Sequence, residues 1–306
     1  MIQVILGAGG DIGRLLAREL KQYSPKIRLV ARNPHQVNGD DELFPADLRN
    51  ATLVNQSLEG ASVAYLTAGL KYDLRVWRKD WPIIMQNVID ACLHHKVKLV
   101  FFDNVYAYSK NAIPHMTEES PMDPPSQKGR VRYQLLQMID QAIRNKGLQA
   151  LIARSADFYG PGSKNGILNT LVLDPLLKNK KPSWQADINK IHAFTYTPDA
   201  ARATAMLGNT DTAYNQVWHL PTSNERWTGA DFIQKASTLI GKQPAYTLLS
   251  PFMLKLAGLF NRTIKELVEM QYQNNQDYFF DSSKFCKEFS FVPTRYEDGI
   301  RQVLGR

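Results

Sequence analysis

Two hydrophobic periods alternate along the chain. Short, near-continuous apolar runs are followed by stretches in which apolar residues recur at helical spacing. Ile2, Val4, Ile5 and Leu6 form the first run, and Ile12, Leu15, Leu16 and Leu20 mark the helix after it. Lys26 to Ala31 reads as a second strand, Phe44 to Leu48 as a short third and Ser62 to Ala68 as a fourth. Trp81 to His94 predicts a helix with Pro82 in its first turn, Lys98 to Phe102 a fifth strand, and Val131 to Lys146 a helix stopped by Gly147. Strands that are apolar throughout, separated by amphipathic helices, predict a parallel sheet covered on both faces.

From Ile167 the pattern changes to amphipathic helices and short strands. Leu168, Leu171, Val172, Leu176 and Leu177 predict a helix, His192 to Tyr196 a strand, and Pro198-Asp199 the opening of another helix. Val217 to Pro221 reads as a strand, Thr228 to Ile240 as a helix, Tyr278 to Ser282 as a last strand and Pro293 to Val303 as a surface helix. Leu248 to Phe260 is the most apolar stretch, too short to span a bilayer. It suits a helix packed over a pocket or one docked on a membrane surface. The expected organisation is a first domain over 1–155, with 191–222 returning to it, and a smaller α/β lobe over 156–306 interleaved with it.

The first strand-to-helix junction carries the clearest chemistry. Gly7-Ala8-Gly9-Gly10-Asp11-Ile12-Gly13 puts four glycines where a backbone must turn tightly and approach an anion, at a helix N-terminus whose N–H groups and dipole attract a pyrophosphate. This is the outline of a dinucleotide site in a Rossmann-type doubly wound sheet. An acidic residue about 20 positions past the glycines would bond the NAD ribose, whereas arginine suits a 2′-phosphate. Arg32 ends the second strand and no acid does, so NADP is expected ahead of NAD. Asp47, next to Leu48, is either a helix cap or an adenine-side contact. Thr67-Ala68-Gly69 ends the fourth strand where backbone again approaches the cofactor.

Composition narrows the class. The chain has 306 residues, 44% of them hydrophobic and 22% charged, as expected of a globular protein with two lobes. Cys92 and Cys286 have neither metal-ligand nor disulfide-framework spacing, so no metal site is expected. With the first strand starting at residue 2 and no spanning segment, a cytoplasmic location is expected, without membrane insertion. The net charge of +8 is scattered and not interleaved with aromatics, which argues against nucleic acid as a partner and for a small-molecule substrate.

Taken in order, Gly7-x-x-Gly10-x-x-Gly13, Arg32, Asp47-Leu48, Thr67-Ala68-Gly69, Asp103 to Tyr108, Arg154 to Gly162 and His192 to Ala200 resemble the extended short-chain dehydrogenase/reductases, which include nucleoside-sugar epimerases and dehydratases. The resemblance covers essentially the whole chain. It implies that Gly7, Ala8, Gly10, Asp11, Ile12, Gly13, Arg32, Asp47, Leu48, Thr67, Ala68 and Gly69 hold the cofactor, and that the protein pairs through two helices of its large lobe as a homodimer. It also implies a catalytic Tyr-x-x-x-Lys with a preceding serine or threonine, in which the lysine makes a phenol usable near neutrality.

That motif is absent. Counting back from Arg154, the lysine position falls on Arg132 and the tyrosine position on Lys128; counting back from Tyr108, the serine position falls on Asn104. Lys128 is the expected proton-exchanging group, Arg132 its electrostatic tuner or cofactor anchor, and Asn104 the group orienting a carbonyl. The same pair also suits a pocket that binds without turnover. Tyr106 and Tyr108 lie close enough in sequence to supply a phenol. Asp157 and Tyr159 follow a strand end and either face a ligand or cap the turn, while His192 and His219 read as structural. Two functions are consistent with these residues. One is an NADP-dependent oxidoreductase or epimerase/dehydratase-like enzyme acting on a small carbonyl or hydroxyl compound. The other is a non-catalytic NADP(H) redox sensor that engages a protein partner.

Overall fold

The computed structural model describes residues 2–250, 252–253 and 266–306. The chain divides into two compact units. The first comprises Met1–Asn104, Lys128–Arg154 and Ala200–Trp218; the second comprises Val105–Gln127, Ser155–Asp199 and His219–Arg306. The first unit is therefore interrupted at 105–127, and the segment returning to it is shorter than the expected 191–222.

A seven-stranded sheet organises the first unit. Its strands are β1 (Ile2–Leu6), β2 (Lys26–Ala31), β3 (Glu42–Pro45), β4 (Ala61–Leu66), β5 (Lys98–Asn104), β6 (Ala150–Ser155) and β10 (Val217–His219), in the order β10-β6-β5-β4-β1-β2-β3. Pairing is parallel from β3 through β2, β1 and β4 to β5, with Leu6 opposite Val30 and Leu66. Val4, Ile5, Leu6, Leu29, Val30, Ala64, Leu99, Val100 and Phe101 are all fully buried, which is why these strands lack polar alternation. The Rossmann-type doubly wound fold expected from the sequence is thus present. The strand order reverses at β1 and β4, whose carboxyl ends are where such a sheet forms its ligand crevice.

The helices are α1 (Asp11–Leu20), α2 (Ala51–Ser57), α3 (Leu74–His95), α4 (Gln127–Lys146) and α6 (Thr197–Gly208). On α1, Ile12, Leu16 and Leu20 are the buried stripe the spacing implied. α3 starts at Leu74 instead of Trp81, because the Asp73 side chain accepts a hydrogen bond from the Arg75 amide at 2.9 Å and caps it there. Pro82 is consequently inside the helix and not in its first turn. α4 likewise begins at Gln127, ahead of the expected Val131. β3 lies earlier than expected, leaving Asp47 and Leu48 in the turn after it.

The second unit contains β7 (Asp157–Tyr159), α5 (Asp174–Leu177), β8 (Ser183–Gln185), β9 (Phe194–Tyr196), α7 (Gly229–Leu239), β11 (Thr247–Leu249), α8 (Ser283–Glu288) and α9 (Tyr296–Leu304). β7 pairs with β9 and β8 with β11, both parallel. Its main core gathers Tyr159, Leu168, Leu173, Phe194, Phe232, Tyr296 and Ile300. The helix expected over 168–177 is a π-helical turn, Asn169–Leu173, leading into α5. Asn169 leaves the regular pattern to clasp Gly160, accepting from its amide and donating to its carbonyl, both at 3.0 Å. His192 and Tyr278 form only an isolated bridge, so β9 starts at Phe194, and the expected strand at 278–282 is reduced to bridges at Tyr278 and Phe280. Of the apolar stretch 248–260, Leu248 and Leu249 belong to β11, while 251 and 254–260 lie outside the described residues. No helix among the described residues is long and apolar enough to cross a membrane, and no group of His, Cys, Asp or Glu among them suits a metal ion.

Candidate functional site

β1 ends into Gly7, whose φ of 98° and contact with Ala68 leave no room for a side chain. A Cβ on Gly13 would come within 2.8 Å of the Ala8 backbone, so Gly13 lets α1 pack directly on the turn. Gly9 has nothing within 4 Å of its would-be Cβ, and Gly10 only the Gly7 carbonyl at 3.8 Å. Gly10 is also the N-cap of α1 and provides no capping side chain. The result is an open hollow facing a helix N-terminus, shaped for an anion. Ala8 and Ile12 are buried, so only their backbone can serve a ligand, while Asp11 pairs with Arg14 at 3.3 Å.

The Thr67 amide donates to the Leu6 carbonyl at 2.9 Å, which brings Thr67-Ala68-Gly69 beside the glycine turn. The Thr67 hydroxyl is buried without a hydrogen-bond partner among the described residues, a group that a ligand at this crevice would satisfy. Together the hollow and this orphan hydroxyl fit a dinucleotide. Arg32 is exposed at the end of β2 and acts electrostatically on Asp47. Arg49, which the sequence reading had not singled out, grips Asp47 through its Nε and Nη2 at 2.5 to 3.1 Å. That hydrogen bond holds the Asp47 carboxyl down at about 2. Asp47 also accepts from the Arg49 amide at 3.0 Å, so it orders the turn into α2, whose cap is Asn50. Leu48 is buried, its carbonyl accepting from Asn87 at 3.0 Å.

The three residues expected from the sequence to be catalytic are placed unequally. Asn104 is half-buried at the end of β5. Arg132 is locked away from solvent, donating to Asp103 Oδ1 through Nε at 2.8 Å and Nη2 at 2.5 Å and to the Phe102 carbonyl at 3.3 Å. Its guanidinium also lies 4.9 Å from the Trp81 ring centre and 4.6 Å from that of Phe101. Arg154 takes the other Asp103 oxygen through two bonds of 3.1 Å. Asp103 thus ties α4 to β5 and β6 by charge-assisted bonds on both its oxygens. Arg132, expected as electrostatic tuner or cofactor anchor, is engaged in this ion triad.

Lys128 is one helical turn before Arg132 and is 0% exposed. A side chain without accessible surface cannot itself touch a substrate, so the expected direct proton exchange at Lys128 does not fit its position. Its Nζ instead stands 4.5 Å from the ring centre of Tyr72, on the loop leaving β4. Neither Asp103 nor Tyr72 emerged as a candidate from spacing alone. Asp103 was visible only as part of a motif, and Tyr72 carries no local signal, because its neighbour Lys128 is remote in sequence.

In the second unit, Tyr106 is half-buried, whereas Tyr108 is fully buried with its hydroxyl 2.6 Å from His219 Nε2. His219 Nδ1 donates to the Asp281 carbonyl at 2.6 Å, leaving Nε2 to accept from Tyr108; its ring stacks on Phe280. Both His219 nitrogens are used structurally, as expected. Asp157 keeps partial exposure and accepts from His192 Nε2 at 2.9 Å; the His192 ring stacks on Tyr278 with centres 4.3 Å apart. Tyr159 is 0% exposed and packs against Tyr196 and Tyr296. Burial pushes its hydroxyl far above the ordinary phenol range. It is a core residue, and a substrate-contact role for it does not fit.

Comparison with known proteins supplies the wider context. The family model described as "NAD dependent epimerase/dehydratase family" matches residues 3–218. A UDP-N-acetyl-alpha-D-glucosaminuronate decarboxylase from Bacillus cytotoxicus is 21% identical over 221 residues, 66% of this chain and 69% of the relative. A putative UDP-glucose 4-epimerase from Methanocaldococcus jannaschii is 24% identical over 241 residues, 72% of this chain and 77% of the relative. Among solved structures, UDP-glucuronic acid 4-epimerase from Bacillus cereus, in complex with UDP-glucuronic acid and NAD, superposes with a TM-score of 0.81 at 18% identity, covering 100% of this chain and 98% of that one. With a glycine turn, a reversal of strand order and a family match over most of its length, the chain belongs to the NAD dependent epimerase/dehydratase family.

Proposed function

We propose that the protein is a nicotinamide-dependent oxidoreductase or epimerase/dehydratase-like enzyme acting on a small carbonyl or hydroxyl compound. The observation that carries this is the open, uncapped α1 N-terminus beside the buried Thr67 hydroxyl, at the point where strand order reverses. Gly7, Gly10 and Gly13 would hold the pyrophosphate on backbone N–H groups, and Thr67 to Gly69 would line its path. When bound, the nicotinamide supplies or accepts a hydride. The chain's own work is then to orient the substrate oxygen, for which Asn104 is the candidate, and to move a proton. Asp157 and Tyr106 are retained as substrate-side residues of the second unit. The relatives named above act on UDP-sugars, which makes a sugar nucleotide one member of the substrate class to test.

The family name and the B. cereus complex point to NAD. The local chemistry of this chain favours NADP, because Arg32 ends β2 exposed and Arg49 lies on the same Asp47, where an NAD site would offer the ribose an acid. NADP is therefore the cofactor proposed. The test is thermal stabilisation by NAD and NADP at equal concentration, followed by NADPH oxidation across a carbonyl panel that includes nucleotide-linked keto-sugars. NADP should give the larger shift, and Arg32→Ala should remove the difference, a loss of about tenfold or more for one charge-assisted bond. Equal stabilisation by the two cofactors in wild type refutes the NADP preference.

The burial of Lys128 also supports a second reading, a redox sensor that binds NADP(H) without turnover. That reading requires different affinities for NADP and NADPH and a protein partner retained with only one of them.

A further inference from the structure

Tyr72 sits on a turn with little freedom. The Asp73 amide donates to the Lys71 carbonyl at 2.7 Å, closing a three-residue turn on Tyr72, and the Trp77 indole N–H donates to the same carbonyl at 3.1 Å. The Tyr72 ring meets Trp77 edge to face, with centres 5.7 Å apart, and Trp77 meets Trp81 in the same way at 6.4 Å. Asp73 caps α3, which fixes the turn to a 22-residue helix. The phenol is therefore carried on a rigid support, on the loop that follows Thr67-Ala68-Gly69, with β5 and its terminal Asn104 as the neighbouring strand end.

The pairing of Tyr72 with Lys128 supplies the chemistry. Lys128 has no accessible surface, whereas Tyr72 keeps some. Of the two residues, Tyr72 is the one with surface that a ligand can meet. The ammonium over its ring is close enough to favour the phenolate, and it acts from a buried position where water screens little. A lysine thus occupies the helix position where the resemblance places the family's tyrosine, an arginine occupies that of its lysine, and a tyrosine comes to Lys128 from another loop.

We propose that Tyr72 exchanges the proton with the substrate oxygen in this site, with Lys128 as the cation that holds its phenolate; this rests on the nicotinamide-dependent reading above. In the reducing direction the Tyr72 O–H bond breaks, a new O–H bond forms on the former carbonyl oxygen, and the electron pair arrives at carbon as hydride from the reduced nicotinamide. The phenolate remains beside Lys128 until solvent returns the proton. In the oxidising direction the same atoms move in reverse.

The test uses the intact chain in three forms: wild type, Tyr72→Phe and Lys128→Met, each checked for folding by circular dichroism. Tyrosinate absorbance is titrated first, which needs no turnover. Burial pushes Tyr196 and Tyr272 up to about 12 and several others higher, so a phenol ionising below its ordinary value of about 10 stands apart from them. That early step should be present in wild type, absent in Tyr72→Phe and moved upward in Lys128→Met. In NADPH oxidation, Tyr72→Phe should lower kcat by about 10²- to 10⁴-fold with cofactor stabilisation unchanged. A wild type that turns over, with Tyr72→Phe equal to it or with no early step removed by that change, overturns the Tyr72 assignment alone. A wild type that binds neither cofactor and oxidises no NADPH removes the nicotinamide-dependent reading and this proposal together.

Discussion

Replacing Asp103 by asparagine tests the physical account of the site most directly. The carboxylate is 0% exposed and lies between guanidiniums that are 4% and 1% exposed. Arg132 holds one oxygen at 2.5 and 2.8 Å, and Arg154 holds the other with two bonds of 3.1 Å. An asparagine of the same shape keeps one acceptor oxygen and turns its NH₂ towards the second guanidinium, donor against donor. One arginine then loses both bonds to residue 103, and the negative charge between the two buried guanidiniums is gone. Breaking a buried ion pair in this way costs about 3–5 kcal/mol, which is roughly 10²- to 10⁴-fold in the folding equilibrium. Because domain stability is typically about 5–15 kcal/mol, Asp103→Asn should fold but unfold at much lower urea, with the slope of the transition unchanged. The measurement is a urea titration followed by fluorescence and circular dichroism. A loss below about 1 kcal/mol would show that the charge on Asp103 is not what holds α4 to β5 and β6, and the argument that Arg132 is committed to structure would fall with it.

Two further changes probe neighbouring features. Gly13→Ala should destabilise by about 1–3 kcal/mol and weaken dinucleotide binding, because its Cβ meets the Ala8 backbone at 2.8 Å; thermal unfolding with and without NADP reads both effects. Asp47 titrates at about 2 in the folded chain against about 3.9 unfolded, so its contribution is fully present above about pH 4 and is lost as the pH falls through 2. The two side chains are 36% and 47% exposed, so solvent screening keeps the contribution below about 1 kcal/mol. The gap in urea midpoint between wild type and Asp47→Asn should therefore be small at pH 5 and close as the pH approaches 2; a gap that widened with acid would contradict the assigned direction.

Local sequence was sufficient for the features that depend on a residue's immediate neighbours. The run Ile2 to Leu6, the glycine turn and the stripe Ile12, Leu16 and Leu20 specify strand, anion hollow and helix, since strand burial, tight turning and helical periodicity are properties of short segments. The same holds for Arg32, whose position at the end of β2 follows directly from the strand. Boundaries were less legible: α3 begins at Leu74 because of the Asp73 cap, not at Trp81 with Pro82 in its first turn.

Only tertiary structure decided what surrounds Asn104, Lys128 and Arg132. Sequence distance put Lys128 and Arg132 one turn apart and suggested that one tunes the other. The fold gave Arg132 to Asp103, 29 residues away, and set Lys128 over the ring of Tyr72. Burial likewise moved Tyr159 from candidate ligand contact into the core, while leaving Asp157 partly exposed beside His192. Charge neutralisation, accessibility and the approach of a phenol to an ammonium are set by groups far apart in the chain. The sequence therefore determined the strand, glycine turn and helix that open the first unit, and folding determined which of the distant polar side chains are buried in pairs and which keep accessible surface.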